Sequence, residues 1–317
     1  MKKLITLFLS VIIVALLSAC ESEKIELGDK NITIAQWGSE KYLIYLPVYI
    51  AQESGLFKKY GLNVKIEFSG NDDQVFAKVL RGDAQFGVGD PIFTAVSRQQ
   101  GADGVVLASI VDRVALWGVS KSGTMIKSEA GFSEKRIGTF PRPSTTYTLL
   151  KDSIDKPNVS NTRILEVPIG NELSLLESNS ADIVMLLEPA ASIAESKGYH
   201  VVTSFPKIWG RFAFTGLTST EEFVNSNPKL AKAAVDALEE AVKLAHDEPV
   251  KAIDIALKLF PNLDKTIVTN AVNRMLNDET LPKSVKIDKD SWVASVKVRQ
   301  RVGDVKKGFD CMECIIP

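Results

Sequence analysis

Between residues 32 and 204 short apolar runs alternate with amphipathic stretches, and most changes are marked by Gly, Pro, Asn or Asp. A strand that returns parallel to its neighbour needs a long crossover, which a helix supplies. This rhythm therefore predicts mainly parallel sheets flanked by helices. Strands are expected at 32–35, 64–68, 85–88 and 105–110. Between them, Pro47 opens a helix that Gly55 stops, residues 56–60 make a helical turn ended by Gly61, and Asn71 or Asp72 caps a third helix. That helix sets Val75, Phe76, Val79 and Leu80 on one face and closes at Gly82, and another runs from Pro91 to residue 100. The plan then recurs, with strands at 136–139, 163–167, 183–187 and 201–203 and helices at 144–153, 172–177 and 188–196. Residues 212–217 look like an extended return to the first set. From Pro228 onward the pattern is helical, with Leu230, Ala234, Leu238 and Val242 recurring every four residues.

The body, about 290 residues, exceeds what one core usually spans, so the two sets are expected to form two lobes. Residues 31–117 with 217–317 make lobe 1 and its C-terminal helices, and 118–216 make lobe 2. The expected class is α/β, each lobe a mainly parallel sheet flanked by helices, with a helical C-terminal region.

Ahead of this body, Lys2 and Lys3 precede an apolar run from Leu4 to Leu17 broken only by Thr6 and Ser10, and polar residues 21–24 follow. The run is shorter than the roughly 20 residues of a spanning helix and has the layout of a secretory signal over 1–19. Leu17-Ser18-Ala19-Cys20 resembles the bacterial lipobox, which implies acylation of Cys20 as the new N-terminus and a polar tether through residue 30. Acyl burial at about 0.8 kcal/mol per methylene makes several chains on one cysteine a durable anchor. Loss of the leader removes two lysines and takes the formal charge from −1 to −3. With both signs mixed throughout, there is no basic stripe of a nucleic-acid binder.

Cys311 and Cys314 remain as an even pair, for which a local disulfide is expected in an oxidising compartment. Its loop is so small that the entropic stabilisation should be slight. A structural zinc would need four ligands, and only His200 and His246 could add to the pair, so no metal or other cofactor is expected. No Gly-x-x-x-x-Gly-Lys-Ser/Thr loop occurs, so the chain should not hydrolyse ATP.

The segment from Tyr45 to Phe57, Tyr45-Leu46-Pro47-Val48-Tyr49-Ile50-Ala51-Gln52-Glu53-Ser54-Gly55-Leu56-Phe57, is followed by Tyr60-Gly61-Leu62-Asn63-Val64. With Leu80-Arg81-Gly82-Asp83-Ala84-Gln85-Phe86-Gly87-Val88-Gly89-Asp90-Pro91 and Ala181-Asp182-Ile183-Val184-Met185-Leu186-Leu187-Glu188-Pro189, it resembles the NMT1/THI5-like solute-binding proteins over roughly residues 32–220. That group includes components of importers for nitrate, sulfonates, taurine and the thiamine pyrimidine precursor. The resemblance implies a two-lobed periplasmic-binding-protein fold of type II-like plan, closing on a ligand by hinge motion. The group also contains metal-dependent enzymes with a cysteine-rich motif and a catalytic histidine. Neither stands in the body of this chain, so no enzyme is expected.

Ligands of open α/β sheets bind beyond the carboxyl ends of the strands. Those positions are Gln36-Trp37, Gly89-Asp90, Val111-Asp112-Arg113, residues 140–145 and Glu188. Trp37, Tyr42, Tyr45 and Trp209 are each candidates to stack on a ligand or to pack in the core. Asp90 and Glu188 stand at helix starts, where a carboxylate serves equally as cap or as ligand acceptor. Ser144 and Thr145 open a helix whose free N–H groups suit an anion, although Pro143 has no N–H to add; Arg113 or Arg142 could supply charge. Several aromatics and two carboxylates favour a neutral or cationic aromatic heterocycle, such as a vitamin precursor, with a small anion as the alternative. The expected function is an exported, lipid-anchored and monomeric solute-binding protein facing the periplasm or cell exterior. Its partners would be an ABC permease and that permease's ATPase. A ligand-sensing lipoprotein of the same fold is a further alternative.

Overall fold

A computed structural model of the chain describes residues 28–316. The expected signal segment, the acylated Cys20 and most of the tether lie outside the described residues. The first sheet comprises β1 (Lys30–Gln36), β2 (Leu62–Phe68), β3 (Phe86–Gly89), β4 (Gly104–Arg113) and a late arrival, Arg211–Thr220, in the order β2-β1-β3-(211–220)-β4. The second comprises β5 (Trp117–Ser120), β6 (Arg136–Thr139), β7 (Arg163–Glu166), β8 (Ile183–Leu186) and β9 (His200–Ser204), in the order β7-β6-β8-β5-β9. Arg211–Thr220 is β10.

The two sheets share one plan. β1 pairs parallel with β2 and β3, as β6 does with β7 and β8. The one antiparallel strand in each sheet is β10, between β3 and β4, and β5, between β8 and β9. The sheets are therefore mixed, and the reason lies in the crossings. The chain passes from β4 through Val114–Leu116 straight into β5, and it returns from β9 into β10, so each crossing delivers a strand against the local direction. β10 starts at Arg211 and lies in the first sheet, the extended return expected at 212–217, so the lobe boundary drawn at residue 216 falls inside this strand.

Through the first lobe the helices are α1 (Leu46–Glu53), α2 (Leu56–Lys59), α3 (Asp72–Leu80) and α4 (Ile92–Arg98). The second lobe holds α5 (Thr145–Ile154), α6 (Glu172–Glu177), α7 (Ala190–Ser196) and α8 (Phe205–Trp209). The C-terminal region adds α9 (Glu221–Ser226), α10 (Pro228–Asp247), α11 (Pro249–Leu259), α12 (Lys265–Asn277) and α13 (Lys289–Val302). Pro47 stands in the first turn of α1, where its missing N–H breaks no helical bond. The Gln74 side chain returns to the Asn71 N–H at 3.1 Å to close the start of α3, and Gly70 enters it with φ +77°, a conformation that glycine adopts without strain. α10 buries Ala234, Leu238, Ala241 and Val242 against α1.

The sequence puts the C-terminal helices on lobe 1, where α10 and α11 do pack, but the last two, α12 and α13, also reach the second lobe. Through Trp292 and Val296, α13 packs with Ile92, Val106 and Ala213 of the first lobe, in a cluster that also holds the disulfide-joined Cys311 and Cys314. Its arginines reach across to α5 of the second. α12 packs against α7. The C-terminal region thus braces both lobes on either side of the hinge crossings.

Candidate ligand cleft between the lobes

The carboxyl ends of β1, β3 and β6 meet where the lobes face each other. From the first lobe come Trp37, Tyr45, Asp72, Asp90 and Phe214, and from the second Phe140, Ser144, Thr145, Thr146 and Leu187. The space they enclose is about 30 Å3, enough for about two waters, so the lobes are closed on one another. Phe140 and Leu187 also border an outer chamber of about 510 Å3, within the range of small-molecule sites. Its wall includes Tyr42, Gly170, Glu172, Glu188 and Leu259.

Trp37 is the centre of an aromatic cluster drawn from both lobes. Its ring centroid lies 5.0 Å from Tyr42 and 6.4 Å from Tyr45, and it stacks on Phe140 at 6.4 Å with 28° between the planes. Such pairs add about 0.5–1.5 kcal/mol beyond burial. Because Phe140 sits on the other lobe, opening the lobes would free that face of Trp37 for a flat ring. Burial, reinforced by the charges of Glu40 and Glu172, pushes the Tyr42 hydroxyl up to about 12, so it stays a hydrogen-bond donor at neutral pH.

Asp90 holds the cleft shut. One oxygen accepts the Ile92 N–H at 3.0 Å, the capping role open to it from the sequence. The other accepts from the Thr145 hydroxyl across the cleft at 2.5 Å and from the Arg299 guanidinium at 2.8 Å. Arg299 donates further to the hydroxyls of Thr145 at 2.9 Å and Thr148 at 3.0 Å, and pairs with Asp304 at 2.7 Å. The Ser144 hydroxyl caps α5 by accepting from the Tyr147 N–H at 3.2 Å and contacts the Thr146 hydroxyl at 3.0 Å.

Asp72 is the carboxylate that the sequence concealed. It accepts the Asp90 N–H at 2.7 Å from the inner wall. Burial, then the charge of Asp90, push its carboxyl up to about 7, with the Asp90 N–H and the Arg299 charge pulling the other way. A Cβ at Gly89 would lie 2.7 Å from an Asp72 oxygen, so the strand end comes this close only as glycine. Glu172, at the first turn of α6, accepts the Gly170 N–H, at 3.0 Å and 3.1 Å to its two oxygens, and burial pushes it up to about 7 against the pull of that bond and of its own N–H.

Four of the residues singled out from sequence are occupied or set apart. Glu188 is fully buried and borders the outer chamber, but its carboxylate is taken by Arg274 at 2.6 Å and by the hydroxyl and N–H of Ser192. It fixes α7 to α12, with its charge already offset by Arg274. Arg113, at the end of β4, pairs with Glu279 at 2.5 Å near the hinge and borders neither chamber. Arg142 pairs with Glu166. Trp209 packs edge-on against Phe212 with Lys156 over its ring, also away from both chambers. Trp37, Tyr42, Asp90, Ser144 and Thr145 are brought together; Asp72, Phe140, Glu172 and Arg299 join them.

The family model described as NMT1/THI5 like matches residues 44–252. A protein of Bacillus subtilis (strain 168) described as a binding protein, YtlA, is 22% identical over 308 residues, covering 94% of this chain and 90% of its own. Among solved structures, the periplasmic aliphatic sulphonate binding protein SsuA of Escherichia coli superposes with a TM-score of 0.72 at 13% identity, over 90% of this chain and 92% of that one. The alkanesulfonate-binding SsuA of Xanthomonas axonopodis pv. citri, bound to MOPS, gives 0.66 at 13% identity, over 91% and 99%. Two lobes of like topology, a cleft at their strand ends and a matching family model over most of the body agree: this chain has the periplasmic-binding-protein fold and belongs to the NMT1/THI5-like family.

Proposed function

We propose that this protein is the solute-capturing component of an ABC-type importer. It is exported, held at the membrane by acyl chains on Cys20, and closes its lobes on a small flat-ringed solute that is neutral or cationic. One observation carries the choice of solute: aromatic rings of both lobes converge on Trp37 in a compartment whose inner wall holds the carboxylates of Asp72 and Asp90. Of these charges Arg299 offsets one, so an entering anion meets a wall without surplus positive charge. Rings supply stacking area, and a buried carboxylate gains most from a ligand N–H. A thiamine-pyrimidine precursor or a related vitamin fragment has that chemistry.

A second reading, a sulfonate or similar small anion, is favoured by the start of α5, where Ser144, Thr145 and Thr146 face the same compartment, and by what the two SsuA proteins bind. Thermal unfolding against panels of heterocycles, sulfonates and inorganic anions separates them. A solute at 100 times its Kd should stabilise the fold by about 2.7 kcal/mol. The expected result is a rise in Tm with heterocycles that is lost in Trp37→Ala. A rise with anions alone, surviving Trp37→Ala but lost in Thr145→Val, overturns the choice of solute. No rise with any panel overturns solute capture itself.

A further inference from the structure

The outer chamber contains a carboxylate that the protein leaves without a positive neighbour. Glu172 is 3% exposed and borders the 510 Å3 space, yet among the described residues no lysine or arginine reaches its oxygens and no side chain donates to them. Its hydrogen bonds come from the backbone, from the N–H of Gly170 and from its own. Asp90, Glu188 and Asp152 are instead paired with arginines, Arg299, Arg274 and Arg301, whereas Asp72 on the inner wall resembles Glu172 in accepting a backbone N–H, that of Asp90. Charge buried without a partner is costly and persists where something outside the chain pairs with it. Tyr42 and Phe140 line the same chamber, and aromatic rings attract organic cations.

We propose that Glu172 is a specificity-determining residue of the cleft, receiving the cationic or N–H-rich end of the solute, an amine, amidinium or guanidinium, while Tyr42 and Phe140 flank it. This rests on solute capture between the lobes and deepens it: the inner compartment takes a ring edge at Asp72, and the outer chamber reads charge at Glu172. The solute is then a molecule long enough to reach from one to the other past Phe140 and Leu187, which border both.

The test uses benzamidine, a flat ring with a cationic amidinium, its neutral counterpart benzamide, and benzenesulfonate, each titrated by ligand-observed NMR. Wild type should prefer benzamidine to benzamide by roughly tenfold or more, the usual worth of a charge-assisted hydrogen bond. Glu172→Gln, nearly the same in shape and able to keep the Gly170 bond, should erase that preference, and Glu172→Asp should retain part of it. Equal preference in wild type and Glu172→Gln overturns the assignment, as does any outcome in which benzenesulfonate binds and benzamidine does not. Absence of benzamidine binding to wild type also overturns it, whatever else binds. A solute found by the thermal panel whose affinity is unchanged in Glu172→Gln sinks the role of Glu172 and leaves capture intact. Failure of every panel solute sinks capture instead.

Discussion

Asp72, Glu172 and Arg299 are charged residues standing on the apolar phase of their helices. Asp72 precedes Val75 and Val79 by three and seven positions, Glu172 precedes Leu176 by four, and Arg299 follows Trp292 and Val296 by seven and three. All three are buried accordingly. In the sequence Asp72 passes for a cap and Arg299 is not singled out at all, because spacing alone does not show what faces them across the lobes. By contrast Trp37 and Asp90 stand out in the sequence because they follow strand ends directly, and Thr145 because it opens a helix. The raised carboxyls make stability depend on pH in a definite direction. Asp72 and Glu172 bind protons more tightly folded than unfolded, so their contribution is fully present below about pH 4 and is lost as pH rises through about 7. Without solute, Tm should fall between pH 5 and 8. Urea unfolding of Asp72→Asn and of Glu172→Gln should each show a flatter fall, by at most about 1.4 kcal/mol per pH unit per group. Unchanged slopes in both would contradict the burial described.

Helix α13 acts as a strap between the lobes. Its apolar face rides on lobe 1, and Arg299 and Arg301 grip α5, the helix whose start lines the cleft. Arg301 holds the buried Asp152 by two bonds, at 2.5 and 2.9 Å, but is itself about half exposed, so Arg301→Ala should cost about 1 kcal/mol or less. Arg299→Ala is a different case, because it leaves Asp90 buried beside Asp72 without its counter-charge. We expect a loss of about 3–5 kcal/mol in urea unfolding, partly recovered by Asp90→Asn in the same chain. Equal small losses for both arginines would contradict the strap. The strand–helix rhythm made most of the elements legible, down to 136–139 and 172–177, whose bounds coincide with β6 and α6. β5 was not legible, because Trp117–Ser120 continues the apolar run of β4 and the turn between lobes carries no Gly or Pro. The reach of α13 was not legible either, since its arginines find their partners some 150 positions away.

In the whole molecule, the closed cleft implies that solute enters an opened form, with the hinge crossings before β5 and before β10 taking up the motion. Closing must re-form the Thr145–Asp90 bond and the α13 contacts, so the energy of solute binding and that of the strap act on the same equilibrium. At the membrane, Cys20→Ala should release the protein from the membrane fraction into the soluble one on cell fractionation; retention would contradict acylation as the anchor. The measurement that bears most directly on capture between the lobes is small-angle X-ray scattering with and without the solute picked out by thermal unfolding. The account predicts a larger radius of gyration without solute, a contraction to the closed form on saturation, and no contraction at the same concentration in Trp37→Ala. A solute bound at full occupancy with an unchanged radius would contradict it.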